Sequence, residues 1–287
     1  MIPTMSVPAI RPSPTIRRMT PADVEATVDA YLRDHWGDRR VNLSFVSRHP
    51  EMRPFVADAD GVVVGTGVLC VNGPVGWIGT VWVDPGWRRR GIATALTQAT
   101  IEAADDAGCR TLVLVSTREG RPLYERFGFE VETAHIILQA PGLAGPPVDG
   151  VRAFKPRDLD AMVALDAAAT GEDRAHLLRT FTTPDSGRVH ERPDGSLGGF
   201  VVRASWGGGA TIAPRIEDAL AILRARRVAA GTDGKVSAGL LADNLAGLEG
   251  LAAEGWTESW RAPRLIRGEP LTWDPAAIWG QFNFAIG

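Results

Sequence analysis

Residues 81–95 read Val-Trp-Val-Asp-Pro-Gly-Trp-Arg-Arg-Arg-Gly-Ile-Ala-Thr-Ala, and this stretch decides the fold. An apolar run typical of a β-strand ends at Val83, a Pro-Gly turn follows, and three arginines lead to Gly91. After Gly91 the apolar residues recur with helical spacing, so the stretch predicts a strand, a loop and a helix. Unpaired backbone N–H groups and the positive end of the helix dipole meet at such a helix start. The pattern therefore favours binding of a phosphate-type anion.

Two segments around this loop match the signatures of a known family. Residues 88–93, Arg-Arg-Arg-Gly-Ile-Ala, match the Arg/Gln-x-x-Gly-x-Gly/Ala loop of the GNAT N-acetyltransferase superfamily. Residues 123–129, Leu-Tyr-Glu-Arg-Phe-Gly-Phe, match its second signature at the usual separation. The first half of the chain thus resembles a GNAT domain. The resemblance implies an α/β fold around a mixed sheet, acetyl-CoA as the cosubstrate and no metal.

The same resemblance implies which residues bind acetyl-CoA. Backbone groups of residues 89–94 would hold the diphosphate, and the strand edge at residues 81–83 would pair with the pantetheine amides. Thr117 stands where relatives often carry an asparagine that bonds cofactor or water. For the arginines, a solvated surface charge run is the alternative interpretation. The predicted cofactor-binding residues are Val81, Trp82, Val83, Arg88, Arg89, Arg90, Gly91, Ile92, Ala93, Thr94, Thr117 and Tyr124.

Tyr124 is the predicted catalytic residue. At the matching family position, a phenol near the thioester sulfur donates a proton to the leaving thiolate. A phenol with a pKa of about 10 stays protonated at neutral pH, so it can serve as a general acid. The alternative is a packing role beside Phe127 and Phe129.

The general base is less well defined by the sequence. Many relatives carry a glutamate on the strand that leads to the cofactor, but residues 76–83 contain no carboxylate. Water held by backbone carbonyls and Thr80 could take the proton, or the amine could arrive neutral. Carboxylates elsewhere are interpreted as solvated surface charges, and the terminal carboxylate is a further candidate. The candidate bases are Asp34, Asp38, Glu51, Glu119 and Gly287.

The acceptor site is predicted from the helix–helix region that usually lines it in this family. His49 is a further residue of that region, while the five histidines show no metal-ligand spacing, so no metal ligand is predicted. The apolar closing stretch, residues 278–287, is predicted to dock, with the cleft between domains as one place for it. The candidate substrate-binding residues are His35, Trp36, Thr80 and Gly287.

Composition narrows the function classes. The net charge of −3 gives no basic field for nucleic acid or an anionic membrane. Residues 61–83 carry no charge, but Asn72-Gly73-Pro74 interrupts them, so they predict two strands and a turn and not a membrane helix. Cys70 and Cys109 show no disulfide or zinc spacing, which suits a reducing compartment. We expect a cytoplasmic protein, monomeric or homodimeric, without nucleic-acid or membrane partners.

The chain contains an internal duplication. Residues 16–26 align with residues 151–161, and Gly128-Phe129 has its counterpart in Gly255-Trp256. A linker rich in proline and glycine separates the copies. The predicted organisation is a flexible lead-in (1–14), an acetyl-CoA-binding GNAT domain (15–140), a linker (141–150) and a degenerate GNAT-like domain with a docked C-terminal tail (151–287).

The second copy lacks the predicted chemistry. Residues 211–218, Thr-Ile-Ala-Pro-Arg-Ile-Glu-Asp, have no glycine at the helix start and carry two acids that would repel phosphate. Leu251 stands at the position of Tyr124, whereas Asn244 is kept at the position of Thr117. This layout resembles tandem GNAT proteins, in which one domain binds the cofactor and the other shapes the substrate cleft.

The resemblance implies an N-acetyltransferase that moves an acetyl group from acetyl-CoA to a primary amine, by direct attack and with Tyr124 as the acid. A small-molecule acceptor is expected because a second domain narrows the cleft. Acetylation of a protein N-terminus or lysine is one alternative. A non-catalytic acyl-CoA sensor is another, which the missing strand carboxylate favours.

Overall fold

The computed structural model describes residues 13–287, so residues 1–12 of the predicted lead-in lie outside the described part. The fold is a mixed α/β arrangement of two sheets, which confirms the predicted fold class. The larger sheet has eight strands and the smaller one has five.

The first half of the chain follows the predicted order of antiparallel strands and then alternating helices and strands. Strands β2, β3 and β4 are antiparallel, and β3 and β4 are the two strands predicted in the uncharged stretch. The elements are β1 (Thr15–Arg18), α1 (Val24–Arg33), α2 (Arg40–Val46), β2 (Met52–Ala59), β3 (Val62–Asn72), β4 (Val75–Val83), α3 (Ile92–Asp106), β5 (Thr111–Val115), α4 (Arg121–Glu125) and β6 (Glu130–Pro141).

The second half repeats this order. Its elements are β7 (Val151–Ala153), α5 (Leu159–Thr170), α6 (Ala175–Phe181), β8 (Gly187–Glu191), β9 (Leu197–Val202), β10 (Thr211–Ile212), α7 (Ile216–Ala230), β11 (Lys235–Leu241), α8 (Leu245–Ala253), β12 (Thr257–Gly268) and β13 (Ile278–Gly280).

The same ion pair opens both halves, and it supports the duplication. Arg17 donates two hydrogen bonds of 2.7 and 2.9 Å to the Asp23 carboxylate, which also accepts from the Thr20 backbone at 2.7 Å. In the second half Arg152 donates bonds of 2.7 and 2.8 Å to Asp158. The bond from Arg17 lowers the pKa of Asp23 to about 2. Each pair thus fixes the turn into the first helix of its half by a bidentate contact.

The two halves exchange strands. The order in the larger sheet is β1-β2-β3-β4-β5-β12-β6-β11, so β12 of the second half lies between β5 and β6 of the first. Leu265 of β12 faces Leu114 of β5, and Leu138 of β6 faces Ala238 of β11. The last long strand of each half therefore completes the sheet of the other half.

The hydrophobic core also crosses between the halves. One cluster joins Leu43 and Trp77 of the first half to Leu177 and Phe200 of the second, and Phe282 of the C-terminal stretch is part of it. A second cluster lies on the opposite face of the sheet, under α3. Burial of these side chains, at about 25 cal/mol per Å² of apolar surface, holds the halves together. No helix within residues 13–287 is long and apolar enough to cross a membrane.

Candidate active site

The predicted loop has the local structure that an anion site requires. Asp84 accepts a bond of 2.8 Å from the Gly86 backbone and fixes the Pro-Gly turn. Gly91 precedes the first helical residue with a φ of +79°, a conformation that glycine adopts without strain. Because glycine has no side chain to cap the helix, the first-turn N–H groups of α3 are open. They form the positive end of a 15-residue helix.

A groove of about 390 Å³ runs from this loop to α4. Strand β5 pairs with β4 only from the pair of Val75 and Thr111 to the pair of Trp77 and Val113. The two strands therefore separate beyond Trp77. The separation leaves the last residues of β4 along the groove wall. The lining residues are Trp36, Val81, Trp82, Val83, Trp87, Arg88, Arg89, Gly91, Ile92, Ala93, Thr94, Glu119, Gly120, Leu123 and Tyr124.

A β-bulge distorts β4 just before the groove. The pairing of β3 with β4 shifts register between Thr66 and Val68, and Thr80 has a φ of +54°. Positive φ is strained for a β-branched residue. The Thr66 hydroxyl donates a bond of 2.8 Å to the Thr80 carbonyl, and its own oxygen lies 2.6 Å from the Tyr31 hydroxyl. The bulge is thus held from below by a buried hydroxyl pair, and it re-aims the strand edge.

Tyr124 lies on α4 and lines the groove opposite the α3 helix start. Its ring lies edge-on to Phe129, with 6.2 Å between the ring centroids. Burial raises the pKa of Tyr124 to about 12, so the phenol is protonated at neutral pH. Thr117 accepts a bond of 3.1 Å from the Gly120 backbone and positions the start of α4.

The three arginines differ in their surroundings. Arg88 donates a bond of 2.7 Å to Asp34 and one of 3.0 Å to the Val83 carbonyl. The Arg90 guanidinium lies 5.1 Å from the centre of the Trp87 ring. Arg89 is exposed, has a φ of +62° and lines the groove. Arg88 therefore ties the loop to α1, while Arg89 is presented to the groove.

Asp34 differs from the sequence-based expectation. Its side chain is only 17% exposed, and it accepts a bond of 2.7 Å from Trp82 Nε1 besides the one from Arg88. The interpretation of Asp34 as a solvated surface charge is therefore wrong. The pattern of local residues gave no signal for this contact, because its partners lie 48 and 54 residues away along the chain.

The other candidate residues lie in different places. Of the candidate bases, Glu119 lines the groove, whereas Gly287 lies beside Trp77 and Glu172 in the core between the halves. His35 is exposed with a φ of +59°. His49 packs against Phe45 and His176, with 4.9 and 5.0 Å between ring centroids. Glu51 is half-buried at the start of β2. The structure thus brings Trp36 and Glu119 to the groove, and leaves Gly287 away from it.

A second cavity, of about 420 Å³, opens between the halves and shares Trp36 with the groove. The loop after α1 forms one wall, and the loop before β10 and the C-terminal stretch form the other. Trp206 is fixed there by an edge-on contact with Phe181 and a bond of 3.2 Å to the Phe282 carbonyl. The lining residues are Trp36, Asp38, Arg39, Val41, Asn42, Ser205, Trp206 and Asn283.

The corresponding region of the second half is closed. Strand β13 pairs with the edge of β10, where β4 has a free edge in the first half. At the start of α7, the buried Asp218 accepts a bond of 2.6 Å from His190 and is also paired with Arg192. Burial raises the pKa of Asp218, but the bonds from Arg192 and His190 outweigh it, so the pKa is lowered. Leu251, at the position of Tyr124, is fully buried.

No group of three or more His, Cys, Asp or Glu side chains suited to a metal ion occurs in the part of the chain that the structure describes.

Comparisons with known proteins find an acetyltransferase family match in the half of the chain that contains the groove. The model of the acetyltransferase (GNAT) family matches residues 17–129, which contain the loop and Tyr124. The uncharacterized N-acetyltransferase YitH of Bacillus subtilis (strain 168) is 29% identical over 187 residues, which are 62% of this chain and 64% of that protein. An aminoglycoside N(6')-acetyltransferase type 1 of Stenotrophomonas maltophilia is 32% identical over 152 residues, 45% of this chain and 93% of that protein. The chain thus spans a little less than two thirds of YitH.

Solved structures share the whole fold. A Pyrococcus horikoshii protein has a TM-score of 0.80 at 21% identity, over 95% of each chain. A tandem GNAT protein from the clavulanic acid biosynthesis pathway has a TM-score of 0.61 at 19% identity, over 89% of this chain and 99% of that one. At these identities the likeness establishes the fold. The match at 32% identity to 93% of the Stenotrophomonas enzyme shows that the chain belongs to the acetyltransferase (GNAT) family, in agreement with the family model.

Proposed function

We propose that the chain transfers an acetyl group from acetyl-CoA to the primary amine of a small molecule. The observation that carries this proposal is a single groove that holds an open helix start, a free strand edge and a protonated tyrosine. These three features supply an anion site, amide partners and a proton donor, which are the parts that acyl transfer from a thioester needs.

The groove fits the coenzyme. Backbone N–H groups of residues 89–94 would hold the diphosphate, since Gly91 allows close approach and Arg89 adds a positive charge. Arg88 takes no direct part in this proposal, because Asp34 already holds its guanidinium. The edge of β4 at residues 81–83 would pair with the pantetheine amides. When bound there, acetyl-CoA supplies the activated acetyl thioester.

Tyr124 acts as the general acid. Its hydroxyl gives a proton to the departing sulfur, and the raised pKa keeps that proton in place at neutral pH until the C–S bond breaks. A backbone N–H near Val83 polarises the thioester carbonyl. The amine nitrogen attacks the carbonyl carbon directly, so the new C–N bond forms on the acceptor as the thiolate leaves.

The amine proton passes to water in this scheme. Asp34 is held by Trp82 and Arg88, while Glu119 in the groove and Asp38 in the cavity are both exposed, so none of the three is a sheltered free carboxylate. Because water is the base, the acceptor amine must already be neutral when it attacks. We therefore expect turnover to rise with pH up to the pKa of the amine.

The cavity between the halves is the proposed acceptor site. It adjoins the groove at Trp36, and its walls combine two indole rings with the amides of Asn42 and Asn283 and the charged side chains of Asp38 and Arg39. A volume of about 420 Å³ is within the range of small-molecule sites. The name of the Stenotrophomonas relative, an aminoglycoside acetyltransferase, supports a polyhydroxylated amine as the acceptor class.

Thiol release from acetyl-CoA tests the proposal directly. A panel of small primary amines, including amino sugars and arylalkylamines, is compared with peptides that carry a free N-terminus or a lysine. We expect thiol release with at least one small amine. Release with peptides alone would replace the acceptor class by proteins. Coenzyme binding without release in either panel would make the chain a sensor.

A further inference from the structure

The second half carries a cavity that the acetyl-transfer proposal does not use. It has a volume of about 510 Å³ and lies between the C-terminal part of α7 and strands β7, β8, β9 and β11. Its wall is mostly apolar and includes Val151, Val201, Ile222 and Val236. Val201, Ile222 and Val236 are each less than 5% exposed, so the wall is part of the core. A cavity of this size and character can take a small organic molecule.

The rim of the cavity is basic. Among the described lining residues, five are basic and Asp185 is the one acid; the basic residues are Arg152, Arg188, Arg203, Arg226 and Lys235. Of these, Arg152 is already paired with carboxylates outside the cavity. Arg226 donates a bond of 2.9 Å to the Ser237 carbonyl, but its Nε atom is buried and has no hydrogen-bond partner. A buried guanidinium N–H without an acceptor is costly, and buried cations are usually paired.

Electrostatics point the same way. Burial, with the nearby positive charge of Arg203, lowers the pKa of Arg226 to about 10. The guanidinium is therefore still charged at neutral pH, but its charge is not compensated by a neighbouring carboxylate. An anion in the cavity would accept from Nε and offset both guanidinium charges.

The corresponding groove in the first half is lined by acidic as well as basic residues. A groove between α3 and strands β1 and β2 occupies the equivalent position. Glu102 is the eleventh residue of α3, and Arg226 is the eleventh residue of α7. Glu102 and Asp106 line the first groove together with Arg18 and Arg53. The first groove thus has two acids among its lining residues beside two arginines, and the second half has a cation at the helix position where the first has a carboxylate.

We propose that the cavity beneath α7 binds an organic carboxylate with an apolar body. The carboxylate would accept from Arg226 Nε and contact Arg203, and the body would lie against Val201, Ile222 and Val236. This site is independent of the coenzyme groove, which lies in the other half of the chain.

Calorimetric titration of the full chain with octanoate tests the proposal, with three probes that separate head from body. Acetate and inorganic phosphate carry a charge without the apolar body, and 1-octanol carries the body without the charge. We expect heat of binding with octanoate alone. No heat with octanoate, or equal affinity for acetate, phosphate or 1-octanol, would overturn the proposal.

Two variants and a matched control locate the binding. Arg226→Met should weaken octanoate binding at least tenfold and should not lower the melting temperature of the free protein, because it removes an uncompensated charge. Arg224→Met, on the exposed side of the same helix, should leave the affinity unchanged. Ala229→Phe fills the mouth of the cavity from an exposed position and should likewise weaken octanoate binding at least tenfold. Unchanged octanoate affinity in both Arg226→Met and Ala229→Phe would place the ligand elsewhere and refute the assignment.

Discussion

The two halves of the chain start from the same plan and differ most where a helix follows a strand. In the first half, Gly91 opens the start of α3, and β4 has a free edge beside it. In the second half, an extended Arg215 precedes α7, Asp218 lies in its first turn, and β13 covers the edge of β10. The contrast teaches that one scaffold can support the proposed anion site in one half and a closed structural unit in the other, depending on the residues at one helix start and on the strand beside it.

The largest expected effect is a loss of turnover when Tyr124 is replaced. The corresponding residue of the second half is Leu251. Tyr124→Phe removes the proton donor and should lower kcat by roughly 10²- to 10⁴-fold. Coenzyme affinity should stay the same, because the ring and its contact with Phe129 are kept. Steady-state thiol release and calorimetry measure the two quantities.

Tyr31→Phe is the matched control for this change. Its hydroxyl bonds Thr66 below the groove, and Thr66 keeps its own bond to the Thr80 carbonyl in the variant. The variant should therefore lose about 1 kcal/mol of stability and keep its turnover. A Tyr124→Phe enzyme with unchanged kcat would remove the acid role and leave Tyr124 as a packing residue.

The next largest effect is expected on coenzyme affinity. The substitution places in the first half an acid that the second half carries at the corresponding position. Ala93 is the second residue of α3, as Glu217 is of α7. Ala93→Glu places a carboxylate beside the proposed diphosphate site and should weaken coenzyme A binding about 100-fold, or about 2.7 kcal/mol. Ala95→Glu, exposed on the same helix but outside the groove, should bind normally. Equal affinities in the two variants would argue against a diphosphate site there.

A smaller effect concerns His135 on β6, the strand that joins the two halves. Burial lowers the pKa of His135 to about 3, while an unfolded histidine titrates near pH 6.5. Between these values the unfolded chain binds a proton that the folded chain does not. The free energy of unfolding therefore decreases as the pH falls below 6.5, and His135 accounts for about 1.4 kcal/mol per pH unit of that decrease.

Urea unfolding at several pH values from 7 to 5 measures this slope. His135→Gln should flatten it relative to the unchanged chain, and His35→Asn, at an exposed position with a positive φ, should not. An identical slope in His135→Gln would mean that His135 is charged or accessible in the folded protein.

The smallest effect is expected at the closed helix start. Asp218→Asn weakens the contacts with Arg192 and His190, which are partly exposed, and should cost about 1 kcal/mol of stability. Turnover should not change, and no second coenzyme site should appear, since β13 still covers β10. A gain of coenzyme binding in this variant would show that the acid alone, and not the covering strand, closes the second half.

Local patterns predicted much of this arrangement. The strand, turn and helix around Gly91, the strand pair β3–β4 and the repeat could be predicted because each depends on residues close in sequence or on spacing between copies. The free edge of β4 also followed from the family resemblance.

Other features depend on contacts that no local pattern encodes. Strand β12 lies between β5 and β6. Several apolar strands share the same alternation of side chains, so the sequence does not specify which strands pair with β12. Asp34 meets Trp82 and Arg88 only after α1 packs on the sheet. The cover of β10 by β13 likewise joins segments that are about 67 residues apart.

The stoichiometry of coenzyme A binding, measured by calorimetry on the full chain, tests the central claim most directly. The account predicts one site per chain, which Ala93→Glu in the first half weakens and Asp218→Asn in the second half leaves intact. Two sites per chain, or no heat of binding at all, would contradict it.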